Sequence, residues 1–431
     1  MEIKNEKEVI MKKIRIMSII IFVFSPAFLV WGGEIDILLD KLVDKNVLTG
    51  SEAQEIRYET QEEVKKEISL GTHKTLPLWL QNITIGGDIR IRYQKDDNRN
   101  LTYKRERFRE RVRLYLNSKV NENLFVYTGI ATGENTDPRS TNQTFSENFA
   151  KRNIYLDYGY LEYFLHPNIS FNAGRIKQAI QYSNDMLWDG DINQEGFLLK
   201  TEIPININFS NNFDAGVFVL KENKDKKDVY LNYISDTFNW KSDNNLKKIK
   251  FTSSYYDFVN IKGENTFSYR PSTTTHQAEN STLGDKYIYN YRPFVVDVEI
   301  SKSIEDPLTL YILSINNLSV FSSYMINTAI SGDKENKGWI FGLRFGQEKV
   351  NGPGDFQFVY SRRWLEKDSW LDTHPDSDFY GGATDVKGDR FTLSYGLGRD
   401  FSIVANYFNS KPIKNNKKEE KILQVDIIAK F

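Results

Sequence analysis

Beyond residue 82 the chain alternates apolar and polar side chains with a period of two, in segments of strand length. Ile89, Ile91 and Tyr93 fall on one parity; Asp88, Arg90, Arg92 and Gln94 fall on the other. Phe294, Val296, Val298 and Ile300 alternate with Asp297 and Glu299, and Trp339, Phe341, Leu343 and Phe345 with Gly342, Arg344 and Gly346. Phe391, Leu393, Tyr395 and Leu397 alternate with Arg390, Thr392, Ser394 and Gly396. The last segment sets Leu423, Val425, Ile427, Ala429 and Phe431 against Gln424, Asp426 and Lys430. A strand sends successive side chains to opposite faces, so each segment predicts a strand with one apolar and one polar face.

The sharpest case is Arg105 to Leu116, RERFRERVRLYL, with arginine at 105, 107, 109, 111 and 113. At about 3.3 Å per residue the column is about 26 Å tall, close to the apolar band of a membrane barrel. An arginine facing lipid at mid-bilayer costs about 2–4 kcal/mol, and burial in a dry core costs more. The arginines therefore face water while Leu114 and Leu116 face something apolar. A water-filled membrane barrel meets both demands. Taken alone, the segment also fits a soluble sandwich with a charged outer face.

The connectors decide between the two. Long polar ones fall at 95–104, 133–151, 176–194, 221–228, 259–286, 329–337, 367–387 and 412–420. Tight ones fall near Asn121–Asn123, His166–Asn168, Asn208–Asn212, Trp240–Asn245, Ile304–Pro307, Asn351–Gly354 and Gly398–Asp400. Membrane barrels have long extracellular loops and short periplasmic turns. Eight long and seven short connectors give an all-β, transmembrane antiparallel barrel of about 16 strands over 81–431, with both ends periplasmic. Leu308–Asn327 is long enough for a hairpin at Asn316-Asn317, which would break the even count, so it is read as one irregular strand. A barrel of this size leaves an aqueous channel.

Composition adds a location. The only long apolar run, Ile14 to Trp31, follows Lys12, Lys13 and Arg15 and precedes Gly32-Gly33. It reads as a signal peptide over 1–32 with its start at Met11. The chain has no cysteine, so thiol chemistry is excluded. A net charge of −1 gives no sign of nucleic-acid binding. Aromatic residues make up 14% of the chain, yet mean hydropathy is −0.52. That pairing suits a barrel with a polar interior and not a helical membrane protein. Between them, 33–80 reads as a short periplasmic helical hairpin and linker. Leu38, Leu39, Leu42 and Val43 recur at helical spacing, and Thr49-Gly50-Ser51-Glu52 forms a capping box opening a second helix. The hairpin either trimerises or touches the cell wall, or is simply solvated. Trp79 suits a membrane interface.

These segments resemble the putative porin family of diderm bacteria. Leu78-Trp79 leading to Gly87-Asp88-Ile89-Arg90-Ile91-Arg92-Tyr93 is similar to that family's first strand, and the arginine column to its second. Thr132-Gly133 through Asp137-Pro138 to Ser140–Thr144, then Leu156-Asp157, Gly174-Arg175 and Leu187–Asp191, resemble its loop pattern. So do Asp376–Phe379, Gly381-Gly382, Val386–Gly388 and Tyr407–Lys411. The likeness covers about 34–431 and departs at 259–286 and 308–327. It implies an outer-membrane porin in contact with lipid, a homotrimer, and a terminal Phe431 read by the barrel insertion machinery. It implies no particular solute.

Parity places Arg90, Arg92, Arg109, Arg111, Arg113 and Arg344 in the lumen, with acids at Asp157, Asp214, Asp297 and Glu299. Arg111 and Arg113 fall nearest the middle; Glu106, Phe108 and Glu110 face outward. In general porins the third long loop folds inward. By that likeness Asp185, Asp189 and Asp191 face the arginines across a constriction, since rings of charge set selectivity. The alternative is that these charges only pair with one another and keep the lumen wet. The expected function is passive diffusion of small hydrophilic solutes, with a mild preference for anions. A barrel tethering the envelope through its helices, or a ligand-specific channel, remains open. An enzyme is not expected: a nucleophile–base set at the barrel rim would have to draw on His73, His166, His276 or His374, which fall in the prelude, a periplasmic turn, a Ser/Thr-rich loop and an acidic loop. His374 lies among Asp372, Asp376 and Asp378, where a Ca²⁺ site or a solvated loop tip could form. No cofactor and no metal are expected.

Overall fold

The computed structural model describes residues 82–431, except 98–102, 147, 181–183, 268–278, 311–312, 333, 373 and 415–418, together with scattered positions between 39 and 59. The chain divides between Gln81 and Asn82. The leader expected over 1–32, Trp79 and most of the 33–80 segment lie outside the described residues. Positions 41–43, 52–54 and 56–59 are helical. The capping box between the first two is formed. The Glu52 carboxylate accepts from the Thr49 N–H at 2.8 Å, and the Glu52 N–H donates back to the Thr49 hydroxyl at 3.3 Å.

The second unit is a closed barrel. Its strands are β1 (Ile83–Asp97), β2 (Arg105–Lys119), β3 (Leu124–Thr132), β4 (Ile154–His166), β5 (Ile169–Ile176), β6 (Gln194–Thr201), β7 (Phe209–Lys221) and β8 (Val229–Lys241). There follow β9 (Lys247–Val259), β10 (Pro293–Leu310), β11 (Leu313–Asn327), β12 (Lys337–Gly346), β13 (Phe356–Leu365), β14 (Val386–Gly398), β15 (Phe401–Pro412) and β16 (Glu420–Lys430). Each pairs antiparallel with its sequence neighbours, and β16 returns to β1 from Asp88↔Lys430 to Asp97↔Lys421. Gly87 and Phe431 exchange backbone hydrogen bonds of 2.8 and 3.1 Å at the seam. Closure satisfies every strand edge, as lipid requires.

The alternation resolves into two faces. Ile89, Ile91, Leu114, Leu156, Phe197, Ile234, Phe341, Leu393 and Ile427 are exposed on the outside. Arg92, Gln94, Arg111, Ser235, Asn406, Gln424 and Asp426 are buried on the inside. A protein that hid polar groups and exposed large apolar ones would be unstable in water; facing lipid it is not.

Three turns fall elsewhere than the sequence suggested. β10 continues through Ile304–Pro307 to Leu310, so the hairpin lies between Leu310 and Leu313. The pairing jumps from Ser303↔Asn317 to Leu308↔Ile315. The extra residues form a bulge, which accommodates Pro307 in a strand. Leu313–Asn327 is then one regular strand, and Asn317 is part of its ladder. Asn208–Asn212 mostly belongs to β7, and the preceding turn is 205–208. The turn after β8 begins at residue 242.

The polar-inside rule also fails over part of the wall. On β8, Val229, Leu231 and Tyr233 are buried on the inner face before Ser235 and Thr237 take over. On β9, Thr252 and Ser254 give way to Tyr256 and Phe258. These apolar inner positions lie toward the long-loop end. They pack against Met186, Leu187 and Trp188 of one loop and Trp370 and Leu371 of another. Part of the lumen is thus a packed core.

Gly342 faces inward, and a Cβ there would lie 2.1 Å from the buried Phe321 ring. The ring lies flat over the glycine, the aromatic cover that strand glycines favour. Gly342→Val is expected to destabilise the barrel by about 1–3 kcal/mol through overpacking, read as a lower unfolding temperature in detergent with Leu343→Val, on the outer face, as control.

Candidate functional site

The inner wall concentrates arginine on β1 and β2, and three long loops fold inward to meet it. Paired residues on neighbouring strands share a face, so Arg90↔Arg111 and Arg92↔Arg109 bring four guanidiniums together. Left alone they would repel; carboxylates hold them. Arg92 grips Asp426 with two hydrogen bonds, 2.7 and 2.9 Å, and reaches Asp378 at 3.0 Å. Arg111 donates to one oxygen of Asp88 at 2.6 Å, and Arg113 to the other at 2.7 Å. Arg107 pairs with Asp96 at 3.2 Å. Arg109 hydrogen-bonds Gln94, Ser140 and the Asn142 carbonyl, and Arg90 donates to the Asn142 side chain at 2.6 Å.

The loop 133–153 supplies Ser140–Asn142 and the buried Arg139. Its residues 143–144 then return to extend the sheet beside β2. The loop 177–193 carries Asp185, which bridges Arg363 of β13 at 2.6 Å and Arg390 of β14. Asp191 accepts from the Thr141 hydroxyl at 3.0 Å and lies 3.6 Å from Arg113. Asp189 accepts from the N–H of Ser377 at 2.8 Å. Ser377 belongs to the loop 366–385, which also supplies Asp376 and Asp378. Trp188 and Trp370 meet edge to face at 5.5 Å, joining the last two loops.

Between wall and loops lies a cavity of about 310 Å³. Arg90, Arg92, Arg111, Arg139 and Arg390 line it with Asp185, Asp189, Asp191, Asp376, Asp378 and Asp426. The loop carboxyls do not share one charge state. Burial would raise Asp185, but Arg390 and Arg363 beside it hold it below the usual range. Burial likewise opposes the charge on Asp378, but Arg92 and Arg109 hold it low. Asp189 is raised by burial and by Asp191 and Asp376. Asp376 is pushed up to about 7 by burial and by Asp185.

The expected residues divide accordingly. The structure brings Arg90, Arg92, Arg109, Arg111 and Arg113 together with Asp185, Asp189 and Asp191. It sets Asp157 at the edge of this group, within electrostatic reach of Asp191 and Arg113, and leaves the others elsewhere. Glu299 pairs with Arg344 at 2.8 Å across β10–β12. Asp297 bonds Ser323, Asp214 is buried on β7, and Asp157 accepts from Asn193 at a bulge in β4. The solvated loop tip considered for His374 is overturned: Asp372, His374 and Asp376 are buried. Burial and the nearby Arg139 push the imidazole down to about 3, so it is neutral. No group of residues that could hold a metal ion occurs among the described residues. Arg363, Arg139, Asp376 and Asp378 were missed as partners. The apolar runs Met186-Leu187-Trp188 and Trp370-Leu371 inside polar loops were the available signal that those loops turn inward.

A closed sixteen-strand barrel, apolar outside and charged inside, is an outer-membrane channel. The family model described as Putative porin matches residues 95–291 and 289–431, and the chain belongs to that family. No curated protein matches it. Among solved structures it is similar to OprB of Pseudomonas putida, at 11% identity over 81% of this chain and 94% of that one, with a TM-score of 0.51. Salmonella typhi OmpF is 12% identical over 81% and 97%, with a TM-score of 0.45. A Rhodopseudomonas blastica porin mutant is 8% identical over 81% and 100%, with a TM-score of 0.44. The OprB likeness is one of fold.

Asp376 gives the cavity a charge that depends on pH near neutrality. A raised carboxyl pKa means that the proton is held up to about 7 and lost above it; the stability this contributes is full below the ordinary carboxyl range near 4 and is lost as pH rises from there to about 7. Lowering pH from about 8 to about 6 should shift the reversal potential under a salt gradient toward anions. Asp376→Asn should lock the channel in its acid-side selectivity; a variant that still shifted like the parent would clear Asp376.

Proposed function

We propose that this porin passes small hydrophilic solutes and ions by diffusion through an aperture framed by arginines on β1, β2 and β14 and by aspartates of the inward loops. The observation that supports this is the cavity itself, in which guanidiniums and carboxylates face one another at mid-barrel. Fixed charges of both signs select by size and orient dipolar solutes. We place the 33–80 segment in the periplasm because both chain ends then lie on the short-turn side of the barrel. The trimer follows from the resemblance, and one feature of the wall favours it. Arg175 and Glu195 pair at 2.6 Å on the outer face of β5 and β6, the shortest strands. An ion pair facing lipid is costly, and a neighbouring barrel relieves it.

Arg113 is the accessible cation of the set, with its side chain 34% exposed against 8% for Arg111. Arg113→Gln should move the reversal potential toward cations with little effect on folding. Arg111→Gln leaves Asp88 half-paired in a buried site and should cost stability as well, about 3–5 kcal/mol. Single-channel recording of the refolded protein in a planar bilayer decides the reading. Stable ohmic steps are expected; a folded barrel without conductance would sink passive diffusion.

A further inference from the structure

The outer face of β8 departs from the apolar rule. Leu231, Tyr233, Ser235 and Thr237 are buried on the inner face, while Ile234 and Phe238 are exposed on the outer one. Asn232 and Asp236 share the parity of those two, so both stand on the lipid side of the wall. Asp236 lies opposite Phe213 of β7 and Ser253 of β9, and the pairing is regular there on both sides. Neither a bulge nor a slipped register puts it outside. One of its carboxyl oxygens accepts from the Asn211 side chain at 2.6 Å, and Asn211 also donates to the Thr237 carbonyl at 3.4 Å. On β16, directly across the barrel, Leu423, Val425, Ile427 and Ala429 face outward without a polar break.

Other carboxylates of the outer face have cations beside them. Glu110 pairs with Arg152 at 2.8 Å and Glu195 with Arg175 at 2.6 Å. Asp257 pairs with Arg292 and Asp389 with Arg362, both at 3.0 Å. These pairs lie toward the long-loop ends of their strands. Asp236 lies in the middle of β8, between two exposed apolar residues, and makes no ion pair among the described residues. Asn211 and Asp236 do brace β7 against β8, but two apolar residues would do so at less cost in lipid. An ionisable group at that depth implies a partner, and the barrel's own wall supplies only an amide.

We propose that the partner is a second copy of this chain, with β7–β8 of one protomer docked on β5–β6 of the next around a three-fold axis. The Arg175–Glu195 pair already marks β5 and β6 as a face that a neighbouring barrel covers, and β7–β8 continues it. Sixteen strands take about 22° of the circumference each. A barrel in a three-fold ring meets its two neighbours in directions about 60° apart, which is between two and three strands. Asp236 on β8 stands two strands from Glu195 and three from Arg175. The two patches also differ in sense, as a head-to-tail contact requires. Arg175 spends Nε on the Asp157 carbonyl and Nη1 on Glu195, leaving Nη2 to donate outside its own wall, whereas Asp236 offers an acceptor. The inference rests on the trimer reading and adds to it the wall that faces the axis.

The chain has no cysteine, so single introduced thiols report contacts cleanly. The full chain is refolded into lipid vesicles and treated with a short bis-maleimide. A mixture of Ile234→Cys (β8) and Phe171→Cys (β5) proteins should give covalent dimers; Ile427→Cys, on β16, should give none. Dissociation of the assembly in detergent is the second readout. Asp236→Leu should raise the dissociation constant about tenfold, the worth of a hydrogen bond to a charged group, and Asp236→Asn should keep most of the assembly. If Asp236 simply faces lipid, Asp236→Leu stabilises the barrel and leaves assembly unchanged, which overturns the proposal. Trimers that cross-link through Ile427→Cys, and not through the β5 and β8 thiols, overturn the wall while the trimer reading stands. Monomers alone in the vesicles would sink both.

Discussion

The structure turns on where its arginines can go. Five guanidiniums on one face of β2 and two on β1 can neither meet lipid nor sit unpaired in a dry interior. The barrel gives them an inside, but an inside alone would leave a dense positive wall whose members repel. Carboxylates from the wall, Asp88, Asp96 and Asp426, neutralise part of it. The rest comes from the long loops, which bend into the lumen carrying Asp185, Asp191 and Asp378 to Arg390, Arg113 and Arg92. The inward loops are in this sense the counter-ions of the wall.

Ion pairs give the loops direction more than stability. A buried pair roughly offsets its own desolvation, so the aspartates alone would not hold long segments inside a barrel. The holding force is apolar. Trp370 packs edge to face on Tyr256 at 4.9 Å and on Phe258 at 5.3 Å as well as on Trp188. A third loop closes over it through Asn280, which donates to the carbonyls of Lys367 and Trp370, both at 2.7 Å. The inner wall is therefore divided. Toward the long-loop end, β6–β13 carry a packed core. On β1 and β2 the loops meet the wall through charged groups instead.

The sequence made the barrel legible because lipid enforces one rule on every strand: apolar out, period two. Even the strand count could be read, since each short turn and long loop leaves its own composition. The errors arose where that rule lapses. Ile304–Pro307 looks like a turn because proline rarely enters a strand, yet a bulge admits it. Parity found the arginines of β1 and β2 because their partners across the ladder obey the same alternation. It could not find Arg363 as a partner of Asp185, since the two are joined only by a loop folded across the lumen. Nor could it show that Tyr233 and Tyr256 face inward as core. Lumenal residues answer to loop packing, which carries no period.

That difference also explains why equal charges play unequal parts. Glu299–Arg344 and Arg92–Asp426 are both cross-strand pairs on the inner wall, and parity cannot rank them. The loops do. Where a loop lands, as on Arg92 through Asp378, the pair is desolvated and its field is strong. Where none lands, as at Glu299, with its side chain 25% exposed, water screens the pair and its field fades. On this wall the field of a charged pair is thus set by where the three inward loops come to rest. Residues in those connectors can retune it without touching the wall that spans the membrane.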